Sequence, residues 1–356
     1  MKKNLPKKFY YLTKPDLNSS SKIFILNDEI CNDFNFTVKD KKNIISFLLN
    51  ERNYRQSFSQ AYAGHQFGHF TSLGDGRAII VGEHVTENNK RFDIQLKGSG
   101  ITQFSRNGDG KATLSSMLKE YLFSEAMHYL NISSSRSLAV IKTGEIIQRI
   151  NKEKASILVR IMKSHIRVGT FEFASFLGSH DDLKKISSYT INRLYPELKK
   201  FDNPNLALLD LVMRKQIDLV VDWMRVGFIH GVMNTDNTSI SSESFDYGPC
   251  AFINTYDPNK VYSALDYDGR YAFGNQSNIL KWNITRFAEA LLPIIHKDRN
   301  ESIRLAESII NKFDKLWEEK YYSMMLKKIG FDLNEISLYP LVNELLTVMN
   351  KLKMDY

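Results

Sequence analysis

The feature that most limits how this chain can fold is a change of character near Lys163. Before it, glycines punctuate short apolar and β-branched runs; after it, apolar residues recur at helical spacing over long stretches. No repeat or low-complexity block blurs the division. With 356 residues, 43% of them hydrophobic, the chain is longer than the commonest single-domain size and rich enough to bury a core in each part. The pattern predicts an α+β protein of two lobes, a β-rich one over 1–163 and a mainly helical one over 164–356.

Individual segments sharpen this. In GHQFGHFTSLGDGRAIIVGE the run AIIV reads as a strand leaving a tight Gly-Asp-Gly turn, and FDIQLKGSG as a second strand with Lys97 at its end. Thr113 to Leu130 reads as a helix with Leu114, Met117, Leu118, Tyr121 and Leu122 on its apolar face. SLAVIKTGE and ASILVRIMKS supply further strands that complete a small sheet around that helix. Helices are expected again from Leu206 to Met224 and over WNITRFAEALLPII.

Composition excludes several classes of function. The formal net charge of +8 suits anionic ligands, but the lysines are scattered among acids, so no nucleic-acid stripe is present. Cys31 and Cys250 are far apart and form no metal-ligand spacing, which fits a reducing compartment. In the basic amino terminus MKKNLPKKFYYL, Pro6, Lys7 and Lys8 interrupt any apolar run, which argues against a secretory signal. LALLDLVMRKQIDLVVDWM carries charges throughout and does not read as a membrane span. A soluble cytoplasmic protein, with neither nucleic acid nor membrane as partner, is the expectation.

A strand-end lysine and a carboxylate on the following helix are the pair with which kinases hold nucleotide phosphates, and Lys97 and Glu120 fit that order, with Glu125 as a rival partner. Further on, HGVMNTDN resembles the kinase catalytic loop, except that Val232 stands where the catalytic Asp belongs; Asn237 follows five positions later and Asp236 precedes it. Asp246, in FDYGP, lies nine residues beyond Asn237 and corresponds to the metal-holding Asp of Asp-Phe-Gly. An amide oxygen and a carboxylate are hard ligands of the kind magnesium takes. Arg160 and Arg167 offer guanidinium forks for phosphates. Taken singly, each of these residues is more often a turn former or a solvated charge. In this order they predict a protein-kinase-like fold, with one key helix in the small β-rich lobe. His65 and His69 have helical metal spacing, but Gly64 and Gly68 make a helix there improbable; His165 and His230 read as buried hydrogen-bonding residues.

Read together, YAGHQFGHF, LGDGRA, DIQLKGSG, SRNGDGKA, SEAMH, SHIRVG, HGVMNTDN, DYGP and YDGRYAF resemble the selenoprotein O family, also called YdiU, over roughly Tyr62 to Pro293. The resemblance implies a pseudokinase that binds ATP in a flipped orientation and transfers AMP to Ser, Thr or Tyr hydroxyls of proteins, with UMP transfer also attributed to bacterial members. It implies nucleotide contacts from Gly74, Gly76, Arg77, Lys97, Asp109, Gly110, Arg160, Arg167 and Asp246. It makes Asp236 the proton acceptor, Asn237 and Asp246 the ligands of Mg2+ or Mn2+, and Glu120 the ion-pair partner of Lys97.

The chain ends at Tyr356, whereas family members usually continue, often to a cysteine or selenocysteine near the carboxyl terminus. The last segment, LVNELLTVMNKLKMDY, reads as an amphipathic helix whose apolar face (Val342, Leu345, Leu346, Met349) expects a partner. Two competing readings stand beside nucleotidyl transfer: a kinase moving the γ-phosphoryl group, which Val232 disfavours, and a noncatalytic nucleotide-binding scaffold, favoured by the short carboxyl end.

Overall fold

A computed structural model describes residues 5–34, 38–332 and 335–356. The first four residues of the basic amino terminus thus lie outside the described residues. The small lobe is built on an antiparallel sheet. Its strands are β1 (Tyr10–Leu12), β2 (Lys22–Leu26), β3 (Phe58–Gln66), β4 (His69–Gly74), β5 (Ala78–Val85), β6 (Arg91–Lys97), β7 (Ala112–Thr113), β8 (Arg136–Gln148) and β9 (Lys152–Met162). The hydrogen-bonded order is β1-β3-β5-β6-β9-β8-β2, with β4 on β3 and β7 on β9. Helices α1 (Asp28–Asp33), α2 (Val38–Leu49) and α3 (Leu114–Tyr129) complete this lobe.

Strand alternation decides what each face of the sheet holds. Along β9, Ile157, Val159 and Ile161 join Leu96 of β6 in an apolar cluster with Ile30 and Cys31 of α1 and Leu48 of α2. The intervening Leu158 packs on Met117 of α3. By the same period-two rule Arg160 shares the α3 face, and its cross-strand neighbour in β6 is Gln95, two residues from Lys97. The sheet therefore delivers two cations to one side.

Helix α3 begins where Thr113 accepts a hydrogen bond from the amide of Ser116 at 3.2 Å. Its buried face is Met117, Glu120, Ser124 and Met127, spaced as one helical stripe. The apolar face read from the sequence placed Leu122 inward, whereas Leu122 is 65% exposed. The reason is polar: the helix turns Glu120 toward the sheet cations, and Leu122 lies half a turn away from it. Glu125 is also buried, but it serves another junction, accepting from Arg136 Nη2 at 2.8 Å and Asn27 Nδ2 at 2.7 Å.

Beyond Met162 the chain becomes mostly helical: α4 (Val168–Phe176), α5 (His180–Leu194), α6 (Pro204–Arg225), α7 (Gln276–Ile295), α8 (Arg299–Ile310), α9 (Phe313–Lys328) and α10 (Tyr339–Leu352). A two-stranded ribbon, β10 (Phe228–Ile229) with β11 (Ala251–Phe252), brackets the loop that carries HGVMNTDN and FDYGP. The main core gathers Phe171 of α4, Leu209 and Val220 of α6, and Ile284 and Phe287 of α7. At the carboxyl end, Val342 and Leu346 of α10 bury against Met325 and Leu326 of α9, while Tyr339 stacks on Tyr322 with ring centroids 4.0 Å apart. Among the described residues no helix is long and apolar enough to cross a membrane. His65 and His69 stand on β3 and β4, not on a helix.

Candidate functional site

Between the lobes lies a cavity of about 840 Å³. Six cationic side chains line it (Arg77, Lys97, Lys111, Arg149, Arg160 and Arg167) against three carboxylates (Asp75, Asp109 and Asp246). An excess of positive charge in a walled cleft favours a polyanionic ligand.

At the back, four charges interlock. Lys97 Nζ lies 2.7 Å from Glu120 Oε2 and 2.5 Å from Asp246 Oδ1. Arg160 Nη2 pairs with Glu120 Oε1 and, at 2.6 Å, with the same Asp246 Oδ1, while its Nη1 reaches Gln95 Oε1 at 3.1 Å. Burial opposes the ionisation of Asp246, but Arg160 and Lys97 outweigh it and hold the carboxyl well below the usual carboxylate range. Glu120 is lowered by the same balance, burial against Arg160 and Lys97. Asp246 has left-handed backbone geometry, φ +60°, which turns its carboxylate back into the cleft. Tyr247, in the place of the usual phenylalanine, anchors that turn through its hydroxyl to Ser134 Oγ at 2.5 Å.

Asn237 lines the cavity and gives its Nδ2 to the carbonyl of Val232 at 2.9 Å, leaving Oδ1 for a ligand. Asp246 meets both cations through Oδ1, so its Oδ2 remains. One amide oxygen and one carboxylate oxygen suit a hard divalent cation that draws its other ligands from phosphates and water. Among the described residues no group of three or more His, Cys, Asp or Glu side chains could hold a metal by itself, so a zinc-type site is not offered.

Asp236 stands just behind the cavity wall. Its Oδ2 lies 3.4 Å from Gln66 Nε2, whereas Oδ1 is buried without a hydrogen-bond partner. Burial pushes its carboxyl up to about 6, with Arg167 pulling the other way. Arg167 holds the loop by donating to the Asp236 carbonyl at 3.2 Å; its guanidinium also lies 4.1 Å from the Tyr62 ring centre and 3.6 Å from Asp75. Gly64 permits this packing, since a Cβ there would stand 2.8 Å from Asp236 Oδ1.

The remaining sequence-derived positions are distributed unevenly. Gly76, Arg77, Asp109 and Gly110 line the cavity. Gly110 has φ +66°, and a Cβ would meet the Gly100 carbonyl. Asp109 sits at the rim in a two-pronged pair with Arg149, at 2.9 and 3.0 Å. Gly74 does not line the cavity; it lies under the Phe104 ring, where any side chain would clash. His165 is buried against Asp93, and burial lowers it to about 4. His230 is buried with Nε2 on the Phe245 carbonyl at 3.0 Å.

Sequence reasoning missed Asp75, Tyr62, Gln95, Lys111 and Arg149. Asp75 was hidden inside a glycine turn, where an Asp ordinarily builds the turn itself. In the structure it is buried, accepts from the Gln60 amide at 3.0 Å and is pushed by burial up to about 6. Gln95 was discoverable, because period two places it on the same face as Lys97.

Compared with known proteins, residues 1–356 match the model of a family described as protein adenylyltransferase SelO. The chain is 50% identical to protein nucleotidyltransferase YdiU of Pelagibacter ubique, covering 99% of this chain and 74% of that protein. It is 46% identical to the Bacillus cereus protein of the same name and 47% identical to the Clostridium botulinum one, covering 99% of this chain and 73% of each relative. Among solved structures, the Toxoplasma gondii proteins ROP2 and a rhoptry antigen kinase domain align over 83% and 82% of this chain and 87% and 88% of theirs. Identity is 10% and the TM-scores are 0.33 and 0.31, so the kinase-like fold rests on the layout above and not on this likeness.

Proposed function

The chain belongs to the SelO family of protein adenylyltransferases, and from that membership we propose that it moves the adenylyl group of ATP onto hydroxyl side chains of proteins, with Asp236 as proton acceptor. The single observation that carries the assignment of Asp236 is its orphaned Oδ1, a buried carboxylate oxygen with no donor of its own beside the cleft. A carboxyl raised to about 6 is still ionised near neutrality and basic enough to take a hydroxyl proton as the bond to phosphorus forms. Val232 cannot do this.

In this reading Lys97, Arg160 and Arg167 receive the terminal phosphates, whose charge suits a pocket already crowded with cations. Asn237 and Asp246 hold a divalent cation, Mg2+ or Mn2+, which when bound offsets phosphate charge and favours departure of pyrophosphate. The acceptor oxygen attacks the α-phosphorus, its proton passes to Asp236, and the bond between the α-phosphorus and the bridging oxygen breaks. Gly76, Arg77 and Gly110 form the wall along which the rest of the nucleotide lies, and Asp109 positions Arg149 at the rim. Gly74 acts indirectly, by seating Phe104. Cys31 and Cys250 are buried and form no disulfide, which supports a cytoplasmic setting. Mass spectrometry of an acceptor protein after incubation with ATP tests the proposal: a gain of AMP supports it, and a gain of phosphate alone contradicts it.

A further inference from the structure

Next to the loop that carries Asp236, outside the lining of the cavity itself, lies an aromatic face that the chemistry above leaves unused. Ring centroids run in series from Phe176 of α4 to Phe70 of β4 at 5.4 Å, from Phe70 to His65 of β3 at 5.3 Å, and from His65 to Trp282 of α7 at 5.1 Å. Phe70 is 40% exposed and Phe176 52% exposed, so the outer half of the series faces solvent. Two guanidiniums cover the inner half, Arg270 at 4.6 Å and Arg286 at 5.2 Å from the Trp282 ring centre. Arg286 is spent on Glu289 at 2.6 Å, whereas Arg270 has no carboxylate within ion-pair distance among the described residues.

This face is wired to the catalytic loop. His65 Nδ1 lies 2.5 Å from Glu172 Oε1, Glu172 Oε2 accepts from Thr235 Oγ1 at 2.6 Å, and Thr235 Oγ1 in turn accepts from the His65 amide at 2.7 Å. Residues on either side of His65 touch Asp236: Gly64 by close packing and Gln66 by its side-chain amide. A polypeptide lying on the face would therefore bring a neighbouring hydroxyl up beside the proposed base.

We propose that Phe70, Phe176, His65, Trp282 and Arg270 form the seat of the acceptor polypeptide and select a hydroxyl residue flanked by an aromatic or large apolar side chain and a carboxylate. The occupant follows from complementarity. Exposed rings pair with apolar or aromatic side chains, and an arginine that makes no ion pair on an aromatic platform favours a carboxylate. The inference rests on the protein-modifying reading of the site.

Synthetic peptides with one central Ser, Thr or Tyr, flanked either by Phe and Glu or by Gly and Lys, test it in two assays. One is transfer of label from ATP carrying it at the α-phosphate; the other is peptide binding by fluorescence anisotropy, which needs no turnover. The wild type should prefer the Phe and Glu peptides. Arg270→Glu should raise KM for them by about tenfold, the size of one lost charge-assisted contact, and improve the Lys peptides, with ATP affinity unchanged. Phe176→Ser, at a half-exposed position, should raise KM for the Phe peptides without lowering the melting temperature. If wild type labels both sets equally and Arg270→Glu leaves the preference unmoved, the seat is elsewhere while the enzymatic reading survives. If neither set nor any protein takes α-label and no peptide binds, both fall.

Discussion

Arg160 and Lys97 converge on one oxygen of Asp246, at 2.6 and 2.5 Å, although they come from different strands. The cations proposed to receive phosphates are thus held in place by the carboxylate proposed to hold the metal. Asp246→Ala accordingly has opposite effects under two conditions. With Mg2+ present, ATP affinity should fall tenfold or more, because a hard ligand is lost. With a chelator present, affinity should hold or rise, because two cations are released to the phosphates. Calorimetry in both conditions checks this, and equal affinity with Mg2+ would remove Asp246 from the metal site.

Glu120 and Glu125 separate by function. Glu120→Gln deprives Lys97 and Arg160 of a buried counter-charge and should lower turnover by at least an order of magnitude. Glu125→Gln loosens Arg136 and Asn27 instead, far from the phosphates. Breaking such a buried pair costs about 3 kcal/mol of stability. Steady-state kinetics beside urea unfolding should show the first variant poor in activity and the second poor mainly in stability.

Glu243 supplies a pH dependence. Burial raises its carboxyl to about 7, only partly opposed by Lys163 and the Ser241 hydroxyl. The folded state therefore keeps this proton where the unfolded chain has released it, so the stabilisation is complete below the usual glutamate range. It is lost as pH rises toward 7. Relative to Glu243→Gln, the wild type should lose up to about 3 kcal/mol between pH 4.5 and 7 and nothing further above. Urea midpoints of both proteins across that range measure it; a constant difference would contradict it.

Helix α10 offers a packing test. The amphipathic stripe that the sequence left without a partner packs on α9, with Val342 and Leu346 buried. Leu346→Ala should cost about 3 kcal/mol by cavity formation. Light scattering should give the same mass before and after the change. Unchanged stability, or a mass that falls on substitution, would mean that the face serves association instead.

Much of this was legible because it follows from short-range rules. Period two puts Gln95 and Lys97 on one face of β6, the pairing of Gln95 with Arg160 adds the second cation, and the Thr113 cap announces α3. The stripe on α3 was misread at Leu122, because hydrophobicity ranks a leucine inward while the buried salt bridge of Glu120 set the rotation of the helix. Asp75 and Arg149 escaped notice for a different reason: their roles depend on loops meeting across the cleft, and no local pattern encodes that distance. The aromatic face was equally invisible, since Phe70, Phe176 and Trp282 are brought together from three separate elements.

The central claim is that the group transferred is the nucleotidyl and that Asp236 accepts the proton. Two parallel incubations with an acceptor protein, one with ATP labelled at the α-phosphate and one with label at the γ-phosphate, test it most directly. The account predicts label on protein from the α position only, lost in Asp236→Ala while that variant still binds ATP. Label arriving only from the γ position would contradict it and make the chain a kinase, and undiminished α-label in Asp236→Ala would take the base away from Asp236.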